Sequence, residues 1–192
     1  MGKTLLALDI ATCTGFAVFD VTSDARLMAL GTVSERKPTK RAPHTGDVTY
    51  INRPWSHGAS VLSVSDSYRG CWAWVLGGYT PDVLVREAVH VQFKGAAMAL
   101  SERHGQVMAY LRADEMEVAK PVPPSEWRRV IGEKWGYPFP SDTERCKELA
   151  VKIVKDKFKL DCVTLGLAAD AAEAALQGVY YAVTSGLKVV TP

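Results

Sequence analysis

The chain has 192 residues, of which 47% are apolar and 23% charged, and its formal net charge is +2. This length is enough for one domain with a substantial hydrophobic core, and the composition excludes an intrinsically disordered chain. No run of residues approaches the roughly 20 apolar positions that a membrane span needs, so we expect no contact with a membrane. The net charge is too small to indicate a polyanionic partner by itself.

The distribution of the charges is more informative than their sum. Between Lys120 and Lys159 there are ten Lys or Arg residues against six Asp or Glu residues, and a second basic group lies between Arg36 and Arg53. Two such segments on a nearly neutral chain favour a directed positive surface for nucleic acid. Solvated faces of helices would give the same pattern, so composition alone leaves both interpretations open.

The remaining residue types limit the choice of cofactor and compartment. The histidines show no zinc-binding spacing, and the sequence has no Gly-rich phosphate loop, so we expect no nucleotide cofactor. The apolar run before Asp9 is too short for the core of a signal peptide. Four cysteines lie far apart without metal-ligand spacing, which favours a reducing compartment and predicts a cytoplasmic protein: Cys13, Cys71, Cys146 and Cys162.

The first part of the chain predicts three strands followed by a loop and a helix. Apolar runs at residues 4–10, 16–20 and 26–33, separated by small polar turns, indicate the strands. Residues 34–54 are polar, basic and rich in proline, which predicts a long surface loop of the kind that is often functional. Residues 55–76 carry apolar side chains at approximately helical spacing and end at two glycines, which predicts a helix.

The second part alternates strands and helices. The pattern predicts strands at 82–91 and 117–120, and helices at 95–113, 126–131, from Ser141 or Thr143 to Phe158, and 165–184. Ser125 is the predicted N-cap of the short helix. Three strands followed by alternating elements indicate a single α/β domain over residues 1–192, with a mixed five-stranded sheet flanked by helices.

Four acidic residues interrupt otherwise apolar segments. Asp9 and Glu87 lie in predicted strands, while Asp170 and Glu173 share one face of an Ala-rich helix because they are three positions apart. A buried carboxylate costs several kcal/mol unless it is paired or bound to metal. Taken singly, Asp9 could cap a turn, Glu87 could pair with Arg86, and the helical acids could face solvent. Four converging carboxylates would instead favour Mg²⁺ or Mn²⁺, two of which could clamp a phosphodiester.

At this point the sequence resembles a known family, the RuvC-like Holliday junction resolvases of the RNase H superfamily, particularly the viral (phage) branch. The resemblance covers roughly residues 4–184, and its motifs occur in the family's order. They are LALDIATCTGFAVFD, PDVLVRE, AAMALSERHGQVMAYL, PPSEWRRVIG, TERCKELAVKIVKDKF and AADAAEAAL.

The resemblance implies an RNase H-like fold and an endonuclease that cuts four-way and other branched DNA by two-metal-ion hydrolysis. It assigns the metal ligands to Asp9, Glu87, Asp170 and Glu173. It also implies that the first and fourth strands are neighbours, which would bring Asp9 beside Glu87, with the final helix across them. It further implies a catalytic basic residue at Lys147 near the scissile phosphate, and cleavage that leaves a 5′-phosphate and a 3′-hydroxyl.

The resemblance also implies how DNA would be held. Arg128 matches a basic position of the family, and Arg129 stands beside it in the same motif. An apolar wedge that unstacks bases is expected after the catalytic Glu, and Phe93 is the candidate. Lys40 and Arg41, in a loop longer than the family's, could grip phosphates without sequence preference. Glu173 stands where the bacterial members carry Asp. The carboxylate ligand is preserved, but the side chain is longer by one methylene group.

Two symmetric cuts across a junction require two active sites, so we expect a homodimer. The predicted helix 95–113 is the candidate interface, because its small residues would permit close approach, although it could equally pack against its own sheet. Two rival functions remain at this stage: a catalytically silent junction-binding scaffold on the same fold, and a fragment of an actin-like phosphotransferase, which shares the strand–Asp–turn–strand opening. The length of the chain and the four acids disfavour both.

Overall fold

The computed structural model describes residues 2–11, 13–35, 45–52, 61–89, 94–164 and 167–192. Eight strands form one mixed sheet in the order β5-β4-β3-β2-β1-β6-β7, and β8 pairs with β3. The strands are β1 (Thr4–Asp9), β2 (Cys13–Asp20), β3 (Ala25–Glu35), β4 (Thr45–Asn52), β5 (Val61–Ser67), β6 (Val83–Arg86), β7 (Glu117–Val118) and β8 (Val189–Val190).

Five α-helices and one short 3₁₀ turn accompany the sheet. β1 to β5 form an antiparallel meander, whereas β6 and β7 continue the sheet in parallel on the other side of β1. None of the helices in the described ranges is long and apolar enough to cross a membrane. The helices are α1 (Tyr68–Tyr79), α2 (Lys94–Tyr110), α3 (Pro124–Trp135), α4 (Thr143–Phe158) and α5 (Ala169–Thr184), and the 3₁₀ turn is Ala113–Glu115.

The sheet is covered on both faces, which explains the continuous apolar runs of its central strands. Alternate side chains of β1 point to opposite faces: Leu5 packs in a core with α3, α4 and α5, and Leu6 packs in a core with α1 and α2. α5 lies across β1 and β2. The carboxyl end of β1 therefore opens toward the first turn of α5, the region where the acidic residues gather.

α5 approaches the sheet so closely that only glycine fits beneath its first turn. A Cβ atom built on Gly15 in β2 would lie 2.0 Å from the backbone oxygen of Asp170. Further along the helix, a Cβ atom on Gly178 would lie 2.3 Å from the ring of Phe19. These two positions therefore allow the contact that sets the helix across the strands, and they explain a glycine in the middle of a predicted helix.

The predicted α/β class with a mixed sheet is correct, but the predicted number of five strands is wrong. Residues 34–54 are not one loop, because β3 continues to Glu35 and 45–52 form β4; the positions between them and 53–54 lie outside the described residues. The described part of the predicted helix 55–76, from residue 61 onward, is β5 followed by α1, and positions 55–60 lie outside the described residues. The apolar pattern of 61–68 is short enough to fit either period, and antiparallel pairing with β4, with Tyr50 opposite Leu62, favours the strand.

The other element boundaries differ by a few residues. α3 begins at Pro124, a favoured first helical residue, rather than being capped by Ser125. The N-cap of α4 is Asp142, which lies between the two predicted starts and accepts from the backbone N–H of Arg145 at 2.9 Å. α5 begins at Ala169 rather than 165, and α2 ends at Tyr110. Within the described part of the strand predicted at 82–91, regular strand covers Val83–Arg86, and positions 90–91 lie outside the described residues. β7 is shorter than the predicted 117–120, and β8 is a strand that the sequence did not predict.

Candidate active site

Two of the four predicted acids are placed by adjacent strand ends. β1 and β6 run parallel with Leu8 opposite Arg86, so the next residues, Asp9 and Glu87, leave the sheet side by side. Glu87 also forms an isolated bridge to Val122, in the segment that leads into α3. The predicted neighbourhood of the two strands is therefore correct, and both acids lie at the same edge of the sheet.

The other two acids come from the first turns of α5. Asp170 and Glu173 are buried, with 8% and 3% of their surface exposed, although both carry carboxylates. Their spacing of three residues puts them on the face that crosses the sheet above Gly15. The interpretation of these acids as a solvated helix stripe is therefore wrong.

Three carboxylates converge at the end of β1. Asp9, Asp170 and Glu173 each offer an oxygen atom, and these atoms all lie within 4.8 Å of one another. Glu87 lies beside the trio without belonging to it, and its Oε2 accepts a hydrogen bond of 2.8 Å from the indole Nε1 of Trp127. The structure therefore brings three of the four predicted ligands together, with the fourth directly alongside.

The surroundings of the cluster favour the protonated, uncharged form of its carboxyl groups. Burial raises the pKa of Asp9 well above its usual range, and the nearby charges of Glu173, Glu87 and Asp170 raise it further. Burial likewise raises the pKa of Glu87 and of Glu173. Carboxylates that are buried together resist ionisation, so a group of positive charges is needed to hold them as anions at neutral pH.

Two basic side chains supply part of that charge. Lys147 Nζ on α4 lies 3.0 Å from Asp170 Oδ1, and Arg128 Nη2 on α3 lies 3.0 Å from Glu173 Oε1. Burial acts to lower the pKa of Lys147, but Asp170 and its neighbours outweigh it, and the pKa is raised. Both residues singled out in the sequence therefore contact the acidic cluster directly.

Of the remaining predicted DNA-binding residues, only Arg129 lies within the described residues, and it does not join this cluster. Arg129 points to solvent and forms an exposed ion pair with Glu133 one helical turn away. Lys40, Arg41 and Phe93 lie outside the described residues, so their predicted roles rest on the sequence. Glu87 does not pair with the adjacent Arg86, because alternation along β6 sends the two side chains to opposite faces of the sheet.

Sequence reasoning missed Trp127, which holds Glu87 in place. Its ring is fully buried and packs edge-on against Phe139, with centroids 5.4 Å apart. The guanidinium carbon of Arg128 lies over the same ring, 5.1 Å from its centroid. A buried indole N–H needs an acceptor, which is the signal that could have directed attention to it. The acceptor itself lies 40 residues away and cannot be read from the sequence.

With this geometry in view, the fold can be compared with solved structures. The fowlpox virus Holliday junction resolvase matches with a TM-score of 0.52 at 11% identity, over 95% of this chain and 99% of the viral one. The fold is similar to that of this viral resolvase. The RNase H-like class predicted from the sequence is therefore confirmed, with additional strands at the outer edge of the sheet.

Two further resolvase structures align over most of the chain. Thermus thermophilus RuvC in complex with a Holliday junction substrate gives a TM-score of 0.47 at 16% identity, covering 98% of this chain and 99% of that one. The yeast mitochondrial Holliday junction resolvase gives 0.47 at 10% identity, covering 94% and 79%. The sequence matches no protein-family model and no curated protein.

Proposed function

We propose that this protein is a metal-dependent endonuclease that cuts four-way DNA junctions. The observation that carries the proposal is the carboxylate trio of Asp9, which is half-buried, and Asp170 and Glu173, which are buried, with Glu87 at the adjacent strand end. Such a cluster has no evident value for a protein that only binds phosphates, because its charge would repel them. The similarity of the fold to that of the fowlpox virus Holliday junction resolvase independently supports junction cleavage.

The acidic cluster suits hard divalent cations. Oxygen ligands alone favour Mg²⁺, for which Mn²⁺ can substitute, and we propose two ions held by Asp9, Asp170, Glu173 and Glu87. Burial and the charges of the neighbouring acids raise the pKa of Asp9, while Lys147 and Arg128 form their ion pairs with Asp170 and Glu173. When bound, the ions would supply Lewis-acid stabilisation of a phosphodiester and of the attacking and leaving oxygens.

The residues of the chain itself would orient the DNA. Lys147 and Arg128 lie at the acidic cluster, where their charges can face a phosphate while their partners bind metal. Arg129 is exposed on the same helix and is proposed to contact the DNA backbone. Lys40, Arg41 and Phe93 are proposed as further DNA contacts on the sequence pattern. In-line attack by water would leave a 5′-phosphate and a 3′-hydroxyl.

The proposal includes a homodimer, because a four-way junction needs two symmetric cuts. α2 is the candidate interface, since the side chain of Met98 is 62% exposed and Gly105 lies on the solvent side of the helix. The four cysteines are free thiols, in keeping with the proposed cytoplasmic location in a bacterial or phage-infected cell.

The test is incision of an end-labelled four-way junction, compared with its linear component duplexes, in Mg²⁺, Mn²⁺ or EDTA. We expect paired nicks placed symmetrically about the crossover, and none in EDTA. Asp170→Asn should abolish cleavage and leave junction binding intact. Glu117→Gln changes an exposed acid on β7 and is the matched control, which should cleave normally. Junction binding without cleavage by the unaltered protein would indicate a scaffold instead.

A further inference from the structure

The face of the sheet opposite the acidic cluster carries a partly buried polar pair. Glu87 faces α3 and α5, whereas Arg86 points toward α2 on the other face of β6. There its Nη1 atom lies 3.1 Å from Nδ1 of His104, a side chain in the middle of α2 that is only 7% exposed. The pair sits among apolar residues such as Leu8 and Val107.

His104 also contacts the end of β1. Because arginine is always protonated and only donates, Nδ1 of His104 must accept from Arg86, which leaves the proton on Nε2. The ring also forms a hydrogen bond with the backbone of Ile10; this bond favours the protonated ring, so Ile10 contributes its carbonyl oxygen. Burial, reinforced by Arg86, lowers the pKa of His104 to about 4, so the ring is neutral at physiological pH.

The imidazole therefore joins two strand ends. Ile10 follows Asp9 in the chain, and Arg86 precedes Glu87, so the ring bridges the residues directly adjacent to two proposed metal ligands. Register pairing between β1 and β6 ends at Leu8 and Arg86. Beyond that point the relative position of the two carboxylates depends on contacts such as this one.

We infer that His104 is a positioning residue that, through Arg86 and the Ile10 carbonyl, fixes the separation of Asp9 and Glu87 from behind the sheet. The inference rests on the proposed function, because it concerns the same metal-binding carboxylates. It assigns His104 no contact with metal or DNA. Its effect is on the geometry, and hence the affinity, of the site.

The test measures the affinity for Mn²⁺ directly. Electron paramagnetic resonance detects the free ion, so the loss of that signal reports binding and does not depend on cleavage. His104→Leu keeps the apolar packing and removes both hydrogen bonds, and we expect it to weaken Mn²⁺ binding by about tenfold. His104→Gln offers one acceptor and one donor and should restore most of the affinity. Val107→Ala is the matched control: it destabilises α2 one turn away and should leave Mn²⁺ affinity unchanged.

Two results would overturn the inference: unchanged Mn²⁺ affinity in His104→Leu, or an equal loss in Val107→Ala, which would indicate general destabilisation. Failure of the unaltered protein to bind Mn²⁺ at all would instead overturn the proposed metal site. Mn²⁺ binding without cleavage of any junction would overturn the nuclease assignment and leave the role of His104 standing. The three failures are therefore distinguishable in one set of measurements.

Discussion

The indole N–H of Trp127 donates to Oε2 of Glu87 over 2.8 Å, and the neighbouring Arg128 donates to Glu173 over 3.0 Å. Two consecutive residues of α3 thus hold two acids that come from different elements. The prolines before this helix fix its start, and Val122 ties the same segment to Glu87 through the sheet. α3 is therefore a structural support for the site as well as a source of basic residues.

Trp127→Phe should reduce cleavage without unfolding the protein. The phenyl ring keeps the apolar packing against Phe139, but Glu87 loses the hydrogen bond that acts to lower its pKa. We expect the pKa of Glu87 to rise and the free energy of unfolding to fall by ~1–3 kcal/mol, the usual cost of removing the partner of a buried polar group. The pH–rate profile should shift its acidic limb to higher pH. A profile that keeps its position would contradict this role for Trp127.

The acidic cluster should make the metal-free protein less stable as pH rises. The pKa of Asp9 is raised by burial and by neighbouring acids, so the folded state binds its proton more tightly than the unfolded state does. The stability from this proton is present below the unfolded pKa near 4 and is lost as pH rises through the higher folded value. Asp9→Asn should therefore stabilise the metal-free protein more at pH 7.5 than at pH 5.

The measurement is the free energy of unfolding of Asp9→Asn and of the unaltered chain, by urea denaturation in EDTA. Subtracting one from the other removes contributions that both proteins share. One of these is His104, whose lowered pKa works in the opposite direction, since its contribution is present above pH 6.5 and lost as pH falls toward 4. Addition of Mg²⁺ should stabilise the unaltered protein and have little effect on Asp9→Asn. Equal responses of the two proteins to pH would contradict the electrostatic account.

Gly15→Ala should displace the first turn of α5. The added Cβ would fall 2.0 Å from the backbone oxygen of Asp170, where neither partner is a flexible side chain. We expect a loss of ~1–3 kcal/mol in the free energy of unfolding, as for overpacking of a core, together with weaker Mn²⁺ binding. Gly77→Ala in α1 is the matched control, because nothing lies within 4 Å of its Cβ, and it should be neutral or slightly stabilising. Unaltered stability in Gly15→Ala would disprove the close approach.

Those parts of the site that depend on local patterns were predictable. Asp9 and Glu87 interrupt apolar strands, and Asp170 and Glu173 repeat at helical spacing, so a shared helix face follows from the sequence, whereas burial of the helical acids was one of two open interpretations. The roles of Trp127 and His104 were not predictable, because each depends on a hydrogen-bond partner that is distant in the chain. The sequence shows of His104 only that the histidines lack zinc-binding spacing.

The extent of the sheet was predicted less well than its centre. The strands at the middle of the sheet have continuous apolar runs, whereas β4 and β5 lie in segments whose polar, proline-containing surroundings predict loops. The short alternation around Leu62 and Val64 fits both a strand and a helix face, and only pairing with Tyr50 and Val48 decides between them. Strand pairing is a tertiary contact, and single-sequence patterns do not contain it.

The four acids are spread along the chain, with Asp9 in the first strand and Asp170 and Glu173 in the last helix. A ribosome that has made β1 to β7 but not α5 holds a polypeptide with only two of the four carboxylates. Under the proposed function, a truncated or partly synthesised chain would lack two of its metal ligands and would be inactive. Incomplete copies of the protein would then not cut DNA while translation continues.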